Sequence, residues 1–351
     1  MRRITNPSPT HSLTRGERCV VAPCLLRNPD LFHFLRYKKF QVTVRMSQVK
    51  QNPFQRQLPI TIEELFKRNK LKSLNRPFAA PRSRAALPRG KQSFQLYSLA
   101  TPNGQKVGIL LEELGIPYDA HCIIINGPQF STGFIGANPN SKIPCAIDLE
   151  GPDGDPIALM ESAAIMQYLC EKYPEKGFLP ANRRLRYECM QWLFWQVSTQ
   201  GPMTGNYGHF MVYAPGDKVE ARNYGVERYG MDVMRICDVL ERHLAGYRDM
   251  KGGHENYGVR EYLVGGRYTV ADMACYPWAK MLFAESPNAA YNRHGQTPTY
   301  KFMDLKNKFP HLLKWVKRID KRDSVRRGML VCHGTGKPFE NKEHPLYRAR
   351  I

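Results

Sequence analysis

The sequence predicts a small α/β domain followed by a larger domain built only from helices. Between Ser93 and Lys172, short alternating apolar segments are separated by helical patterns in the order β-α-β-α-β-β-α. After the Pro-containing stretch 174–180, only helical patterns remain. A third observation sets the start of the folded region, because residues 1–92 show little periodicity.

Residues 1–92 are predicted to form a basic, largely unstructured N-terminal extension. They contain 20 Lys and Arg against 4 Asp and Glu, whereas residues 93–351 contain 32 against 27. The formal net charge of +21 therefore belongs mainly to the extension, which suggests an anionic partner such as nucleic acid or a membrane surface. One short amphipathic helix is expected within it, from Ile60 to Leu74. An apolar content of 42% excludes a wholly disordered chain.

The cysteines and the first residues bear on the compartment. Nine cysteines, an odd number without C-x-x-C spacing, predict buried free thiols and a reducing environment. We therefore expect a cytoplasmic protein, with the mitochondrial matrix as the alternative. Residues 1–45 are Arg-rich with only Glu17 and Asp30 as acids, which is compatible with a transit peptide. Translation from Met46 and a plain unstructured extension are competing interpretations.

The α/β domain is predicted for residues 93–175, and each of its elements has its own pattern. They are, in order, a strand at 94–99, a T-P-N-G turn at 101–104, a helix ended by Gly115, a strand at 118–125, a short helical piece at 130–137, two strands at 144–149 and 156–160 joined by a D-G turn, and a helix at 162–172.

The helical domain is predicted for residues 183–333, followed by a C-terminal tail at 334–351. Its helices are expected at 183–200, 219–244 and 309–319, with a further one beginning at Thr269. Thr269 and Asp272 have the spacing of a capping box, in which each side chain bonds to the other residue's backbone N–H.

The T-P-N-G turn, Thr101 to Gly104, is the first candidate site feature. It enters a helix, whose N-terminus presents free N–H groups and the positive end of the helix dipole. The Thr101 hydroxyl and the Asn103 amide can donate hydrogen bonds to an anion or a thiolate held there. The competing interpretation is an ordinary turn and helix cap.

The second feature is N-P-N-S-K-I-P, from Asn138 to Pro144. An Ile-Pro bond entering a strand suggests a cis proline that exposes the backbone groups of Ile143 to an extended peptide. Lys142 offers a cation for a carboxylate. A structural turn with a solvated lysine is equally compatible with this pattern.

The third feature is the pair Glu161 and Ser162 at the start of a helix. Ser162 is predicted as the N-cap, and the N–H groups after it can hold a carboxylate. Glu161 can bind an ammonium group, so the pair suits the end of an α-amino acid. Capping alone would explain the same residues. Gln129, in Q-F-S-T-G-F, carries no information by itself.

In this order and within one β-α-β-α-β-β-α unit, these segments resemble a known family. Together with W-L-F-W, G-H-F and Y-A-P in the helical half, they are similar to the Nu-class (YghU-type) glutathione transferases, also called glutathione-dependent disulfide-bond oxidoreductases. The similarity runs from about Leu74 to about Lys337. It implies a thioredoxin-like domain followed by the all-helical glutathione-transferase domain.

The resemblance also implies roles for individual residues. Thr101 and Asn103 would face the glutathione sulfur, Gln129 and Lys142 would contact the glycyl end, Ile143 would pair with the cysteinyl backbone beside cis Pro144, and Glu161 and Ser162 would hold the γ-glutamyl end. Two glutathione molecules are expected in each site, the second lined by Tyr207 and His209. Arg228 would reach the site from the partner in a homodimer.

The implied reaction is reduction of small disulfides by glutathione. No Cys lies in the T-P-N-G turn, so the attacking thiolate would be that of glutathione itself. Weak transfer of glutathione to electrophiles, or peroxidase activity, would use the same thiolate. The histidines and cysteines show no metal-ligand spacing, so glutathione is expected as a substrate and no metal is expected. The alternative is a non-enzymatic regulatory or binding protein on the same fold.

Overall fold

The computed structural model of the chain describes residues 61–68, 78–249, 254–256, 258–285 and 298–340. Residues 1–60, to which the transit-peptide and start-site predictions refer, lie outside the described residues, as do 341–351 of the predicted tail. Within the described ranges, none of the helices combines the length and apolar character needed to cross a membrane.

A four-stranded mixed sheet forms the centre of the first domain. Its strands are β1 (Phe94–Ser98), β2 (Asp119–Cys122), β3 (Cys145–Asp148) and β4 (Ile157–Met160), in the spatial order β2-β1-β3-β4. β1 pairs with β2 in parallel, whereas β1–β3 and β3–β4 are antiparallel. The predicted strand order along the chain is confirmed, and each strand is slightly shorter than its apolar pattern.

Helices cover this sheet. α2 (Pro102–Leu114), α3 (Thr132–Ala137) and α4 (Ser162–Lys172) follow the predicted positions. Ahead of them in the chain, α1 (Ile62–Arg68) lies within the helix predicted at 60–74, and residues 60 and 69–74 of that predicted helix lie outside the described residues. α2 ends at Gly115, whose left-handed φ of 66° lets its N–H bond to the Leu111 carbonyl at 3.0 Å. Only a residue without a side chain adopts this conformation readily.

The second domain is helical apart from a short hairpin. Its elements are α5 (Arg183–Trp195), α6 (Gly201–Gly208), α7 (Val219–Ala245), β5 (Tyr247–Asp249), β6 (His254–Asn256), α8 (Val270–Leu282), α9 (Thr299–Phe302), α10 (Leu305–Lys308), α11 (Pro310–Asp320) and α12 (Asp323–Gly328). The predicted capping box is confirmed, since Asp272 accepts from the Thr269 N–H at 2.9 Å and Thr269 caps α8 in return.

The helix predicted at 183–200 continues to Tyr213. π-helical turns at Gln196–Gln200 and His209–Tyr213 flank α6, which begins with a Gly-Pro pair at 201–202. Gly201 and Gly205 face the indole ring of Trp278, and a Cβ at these positions would lie 3.7 Å and 3.4 Å from the ring.

One apolar core extends through both domains. Buried side chains of α2, such as Leu110 and Leu111, belong to the same cluster as Ala274 of α8 and Val325 of α12. α2 contacts both α8 and α12. The shared core therefore fixes α2, which begins with the T-P-N-G turn, against the helical domain.

The predicted boundary at residue 92 is wrong for residues 78–92, which pack on the α/β domain. The Arg82 N–H donates to the Phe130 carbonyl at 2.8 Å, and the Arg82 guanidinium lies 3.4 Å from the centre of the Phe130 ring. The Pro88 carbonyl accepts from the Tyr97 hydroxyl at 2.8 Å. An extended arm held by such bonds has no periodic pattern, so the sequence could not distinguish it from an unstructured one.

Candidate active site

Thr101 caps the N-terminus of α2. Its Oγ1 accepts from the Gly104 N–H at 3.3 Å, so the hydroxyl hydrogen is left to donate outward. Gly104 permits this tight entry, because a Cβ there would lie 2.0 Å from the Leu99 carbonyl oxygen. The turn thus places the first N–H groups of α2 and the Thr101 hydroxyl after the end of β1, where they can donate to an anion or a thiolate.

The Asn103 side chain is oriented by the helical domain. Trp278 Nε1 lies 3.1 Å from Asn103 Oδ1. The indole nitrogen can only donate, so it bonds to the amide oxygen and leaves the Asn103 NH₂ group to donate elsewhere. The Trp278 ring packs close to Gly205, where a Cβ would lie 3.4 Å from the ring. Sequence reasoning missed Trp278, because its partner lies 175 residues away.

The loop before β3 contains the predicted cis peptide bond between Ile143 and Pro144. Asn138 shapes this loop, with its Nδ2 donating to the Lys142 carbonyl at 2.6 Å and its Oδ1 accepting from the Asn140 N–H at 2.9 Å. Pro144 is buried, Ile143 is half-buried and the Lys142 side chain is exposed. Lys142 is therefore available to a ligand carboxylate at the surface.

Glu161, and not Ser162, is the residue that precedes α4. Glu161 adopts a left-handed φ of 66° and its side chain makes no capping bond, while Ser162 is the first helical residue. The Ser162 hydroxyl instead accepts from Lys106 Nζ at 3.2 Å. The predicted N-cap is wrong because Ser162 is already the first residue of the helix, one position after the cap. The N–H groups of the first turn of α4 and the Ser162 hydroxyl hydrogen remain able to donate to an anion.

Lys106 is a buried cation behind this second helix N-terminus. Its side chain is 1% exposed and bonds to Ser162 Oγ and to Gln196 Oε1, which lies on the π turn of the helical domain. Burial lowers the pKa of the amine to about 7, against the opposing influence of Cys275 and Glu161. In the sequence, Lys106 directly precedes Val107 in an apolar helix. That position could have indicated a buried lysine, but it was not used in the prediction.

Gln129 and Tyr207 lie inside the protein. Gln129 is 3% exposed in a 3₁₀ turn, and its Oε1 accepts from the Asn126 N–H at 3.3 Å. Tyr207 is fully buried, with its hydroxyl 3.3 Å from Thr299 Oγ1. The prediction that Tyr207 lines a second pocket is wrong for this reason. Its ring belongs to the core and lies near Gly230, where a Cβ would be 3.8 Å from the ring.

His209 and Arg228 are more accessible. His209 is half-buried and lies edge-on to the Phe210 ring at a centroid distance of 5.2 Å. The Arg228 side chain is 54% exposed and pairs with Asp232 one turn further along α7. Both therefore keep a surface that a ligand or a partner can contact. Across the described ranges, no three His, Cys, Asp or Glu side chains converge as a metal site.

Two stretches of the chain match known families. Residues 100–172 match the family described as glutathione S-transferase, N-terminal domain, and residues 223–318 match glutathione S-transferase, C-terminal domain. The chain is 38% identical over 285 residues to the disulfide-bond oxidoreductase YghU of Escherichia coli K12, which covers 79% of this chain and 88% of YghU.

Solved structures agree with these matches. The glutathione transferase YghU from Streptococcus pneumoniae, complexed with glutathione, is 38% identical, with a TM-score of 0.65 over 78% of this chain and 97% of that one. A glutathione transferase from Burkholderia graminis, with two glutathione molecules bound per subunit, is 34% identical, with a TM-score of 0.56 over 68% and 87%.

A thioredoxin-like domain with donors at two helix N-termini, joined to an all-helical domain, defines the glutathione-transferase class of enzyme. The extent of identity makes the assignment more specific. The chain belongs to the glutathione S-transferase family, as a YghU-type member.

Proposed function

We propose that this enzyme reduces small disulfides with glutathione and that the thiolate of bound glutathione is the attacking group. The observation that carries the proposal is the orientation of Asn103, whose amide oxygen is taken by Trp278 and whose NH₂ group is left to donate. With the Thr101 hydroxyl, it forms a pair of neutral donors at the N-terminus of α2. A free thiol with a pKa of about 8.5 is mostly protonated at neutral pH, and such donors stabilise its thiolate.

The reaction needs no protein cysteine, and none occurs between residues 100 and 104. The first glutathione thiolate attacks one sulfur of the substrate disulfide, forming a mixed disulfide and releasing a substrate thiolate. A second glutathione thiolate then attacks the glutathione sulfur of the mixed disulfide and releases the other substrate thiolate. One disulfide and two glutathione molecules yield two thiols and glutathione disulfide, with the two protons passing to the product thiols.

The remaining predicted residues are proposed to bind the rest of the tripeptide. The γ-glutamyl carboxylate would lie at the N-terminus of α4, on the Ser162 hydroxyl and near the buried Lys106 ammonium. The exposed Glu161 carboxylate would bind the γ-glutamyl ammonium, and the exposed Lys142 would bind the glycyl carboxylate. Ile143 would pair with the cysteinyl backbone through its own backbone groups.

Gln129 would reach the glycyl end of glutathione only through the NH₂ group of its buried side chain. Its carbonyl end is already bonded to the backbone of Asn126. The assignment of Gln129 therefore predicts a donor role, from its NH₂ group to the glycyl carboxylate.

Two glutathione molecules per site and a homodimer complete the proposal. The Burkholderia relative is described with two bound glutathione molecules per subunit, and the mechanism above consumes two. Phe194 and Met231 are 63% and 72% exposed on α5 and α7, so each offers an apolar side chain that a second subunit could cover. In such a dimer Arg228 would enter the partner's site, and His209 would lie by the second glutathione.

Weak transfer of glutathione to electrophiles and weak peroxidase activity would follow from the same thiolate. All seven cysteines in the described part of the chain are free, which supports a reducing compartment, the cytoplasm or alternatively the mitochondrial matrix. The role of the basic residues before residue 78 remains a separate proposal, binding to an anionic partner.

Hydroxyethyl disulfide and glutathione test the function directly. We expect the full chain to consume both and to produce glutathione disulfide, and we expect calorimetry to give two glutathione molecules per subunit. Asn103→Ala should lose most of the turnover. The matched control is Asn307→Ala, an exposed asparagine that bonds to Asp304 at 2.7 Å. Full turnover in Asn103→Ala would contradict the proposal, and one glutathione per subunit would favour conjugation over disulfide reduction.

A further inference from the structure

Two cysteines that the proposed mechanism does not use contact each other beside the catalytic turn. Cys122 is the last residue of β2, and Cys332 follows α12 near the C-terminal end of the described chain. Their thiols interact closely enough that each shifts the pKa of the other. Both are free. The fold thus brings together two thiols that are 210 positions apart in the sequence.

The end of β1 lies against both cysteines. Ser98 pairs in register with Cys122 of the neighbouring parallel strand, and its backbone N–H also bonds to the Cys332 thiol. Two residues later, the Ala100 N–H donates to the Cys332 carbonyl at 3.3 Å. Ala100 immediately precedes Thr101, so the cysteine pair contacts the segment that leads into the active-site turn.

The backbone of Cys332 is held in an unusual conformation. Its φ of 57° lies in the left-handed region, which residues with a side chain seldom adopt. A bond of 2.7 Å from its N–H to the Gly336 carbonyl closes the loop, and Gly336 is so close to β2 that a Cβ would lie 2.1 Å from the Ala120 carbonyl oxygen. Surrounding contacts therefore fix Cys332 where its thiol meets Cys122, at a conformational cost typical of functional positions.

The two thiols differ in the ways that thiol exchange requires. Cys122 is partly exposed, whereas Cys332 is fully buried. The hydrogen bond between the pair lowers the pKa of Cys122 and raises that of Cys332, so Cys122 is both the more acidic and the more accessible thiol. By contrast, burial raises the pKa of the other described cysteines, which are Cys145, Cys170, Cys189, Cys237 and Cys275.

We propose that Cys122 and Cys332 form a second thiol–disulfide exchange site, which takes glutathione disulfide as its substrate. The Cys122 thiolate attacks one sulfur of glutathione disulfide, forming a mixed disulfide and releasing a glutathione thiolate. Cys332 then loses its proton and attacks Cys122 Sγ, which releases the second glutathione thiolate and closes a Cys122–Cys332 disulfide. The protein dithiol is oxidised by two electrons, glutathione disulfide is reduced to two glutathione molecules, and the two thiol protons pass to them.

This inference goes beyond the proposed function, although its oxidant is the product of that function. The test incubates the reduced full chain with mixtures of glutathione and glutathione disulfide, quenches it with acid, alkylates free thiols and maps the peptides by mass spectrometry. We expect a Cys122–Cys332 disulfide whose fraction follows the glutathione redox ratio. Cys332→Ala should instead accumulate glutathione on Cys122, and Cys122→Ser should form neither species. Cys170→Ala, which changes another buried cysteine, should still form the disulfide.

The wild-type result decides the question without any variant. Free Cys122 and Cys332 at the most oxidising ratio would overturn the proposal, as would a glutathione adduct on Cys122 that is never resolved. Asn103→Ala separates the two proposals, because exchange with glutathione disulfide from solution does not use Asn103. The variant should form the cross-link as fast as wild type even though it has lost turnover, and loss of the cross-link there would contradict direct exchange. A wild type that forms the cross-link without reducing hydroxyethyl disulfide would contradict the proposed function alone.

Discussion

The two ends of the candidate glutathione site are built alike but differ in charge. Each is a helix N-terminus of the thioredoxin-like domain, and each is supported by a side chain from the helical domain. At the proposed sulfur end, Trp278 bonds to Asn103 and the contact is neutral. At the proposed γ-glutamyl end, Gln196 bonds to Lys106, a buried cation that also reaches Ser162.

This difference matches the two parts of the ligand. A thiol must lose its proton on the enzyme, and neutral donors there stabilise the thiolate over the thiol, so more of the bound glutathione is in its reactive form. A carboxylate is already charged, so a buried cation contributes to binding equally in the ground state and the transition state. The sulfur end should therefore govern kcat, and the γ-glutamyl end should govern KM.

The largest expected effect comes from Asn103→Ala compared with Ser162→Ala. Removing one donor to a developing or bound anion lowers kcat by about 100- to 1,000-fold, so we expect Asn103→Ala to lower kcat of hydroxyethyl disulfide reduction by this amount with little change in KM for glutathione. Ser162→Ala should raise KM and leave kcat nearly unchanged. Steady-state kinetics with varied glutathione measures kcat and KM. A rise in KM without a fall in kcat in Asn103→Ala would contradict the proposed difference between the two ends of the site.

Lys106→Met should have the next largest effect. The substitution removes the cation and both of its hydrogen bonds while keeping the length of the side chain, so KM for glutathione should rise by about 10- to 100-fold with kcat nearly unchanged. Lys280→Met is a matched control, because Lys280 is 38% exposed and pairs with Asp320 outside the candidate site. An unchanged KM in Lys106→Met would mean that the buried amine does not act on the ligand.

The same lysine predicts a pH dependence of binding. Its pKa of about 7 lies below its ordinary value of 10.5, so the amine is largely neutral above pH 7 in the free protein. A bound carboxylate favours the ammonium, so binding of S-methylglutathione should take up a proton above pH 7 and weaken as pH rises. Calorimetry in buffers of different ionisation enthalpy measures this uptake, which should disappear in Lys106→Met.

The unfolding free energy provides a second readout of that pKa. Between pH 7 and about 10, the unfolded chain keeps a proton on Lys106 that the folded protein has lost, so this group makes the folded state more stable as pH rises. Lys106→Met should show a smaller increase over the same window. An equal increase in both proteins would indicate that Lys106 keeps its proton in the folded state.

Trp278→Phe should have a smaller effect, confined to the sulfur end. It removes one neutral hydrogen bond while keeping an aromatic ring against Gly205, so we expect kcat to fall by about 5-fold through loss of the Asn103 orientation. Trp192→Phe is the control, because Trp192 packs against Trp195 and His243 of the helical domain. KM for glutathione and the unfolding free energy should stay nearly unchanged in Trp278→Phe, whereas a purely structural role of Trp278 would lower the unfolding free energy.

The smallest expected effect concerns Arg228. Arg228→Gln removes an exposed pair with Asp232, so the unfolding free energy should change by about 0.5 kcal/mol or less. KM for glutathione should rise by about 3-fold if the partner subunit uses this arginine. Arg242→Gln, which breaks a similar exposed pair with Asp238, should leave KM unchanged. A monomer in light scattering would remove the proposed trans role of Arg228.

Features set by neighbouring residues were predictable from the sequence. The Thr101 cap, the capping box of α8 and the cis peptide bond before Pro144 each depend on a few consecutive residues. The supports of the site were not, because Lys106 reaches Ser162 across 56 positions and Trp278 reaches Asn103 across 175. Tyr207 shows the reverse error, since a polar aromatic residue in a site-like motif is buried by packing that the motif does not encode.

The pKa of the bound glutathione thiol tests the central claim most directly. Ultraviolet absorbance of the thiolate, titrated against pH with saturated enzyme, reports it without turnover. We predict a pKa well below the free value of about 8.5 in wild type and a return toward that value in Asn103→Ala. A bound thiol that titrates like free glutathione in the wild-type enzyme, or an identical pKa in Asn103→Ala, would contradict the account.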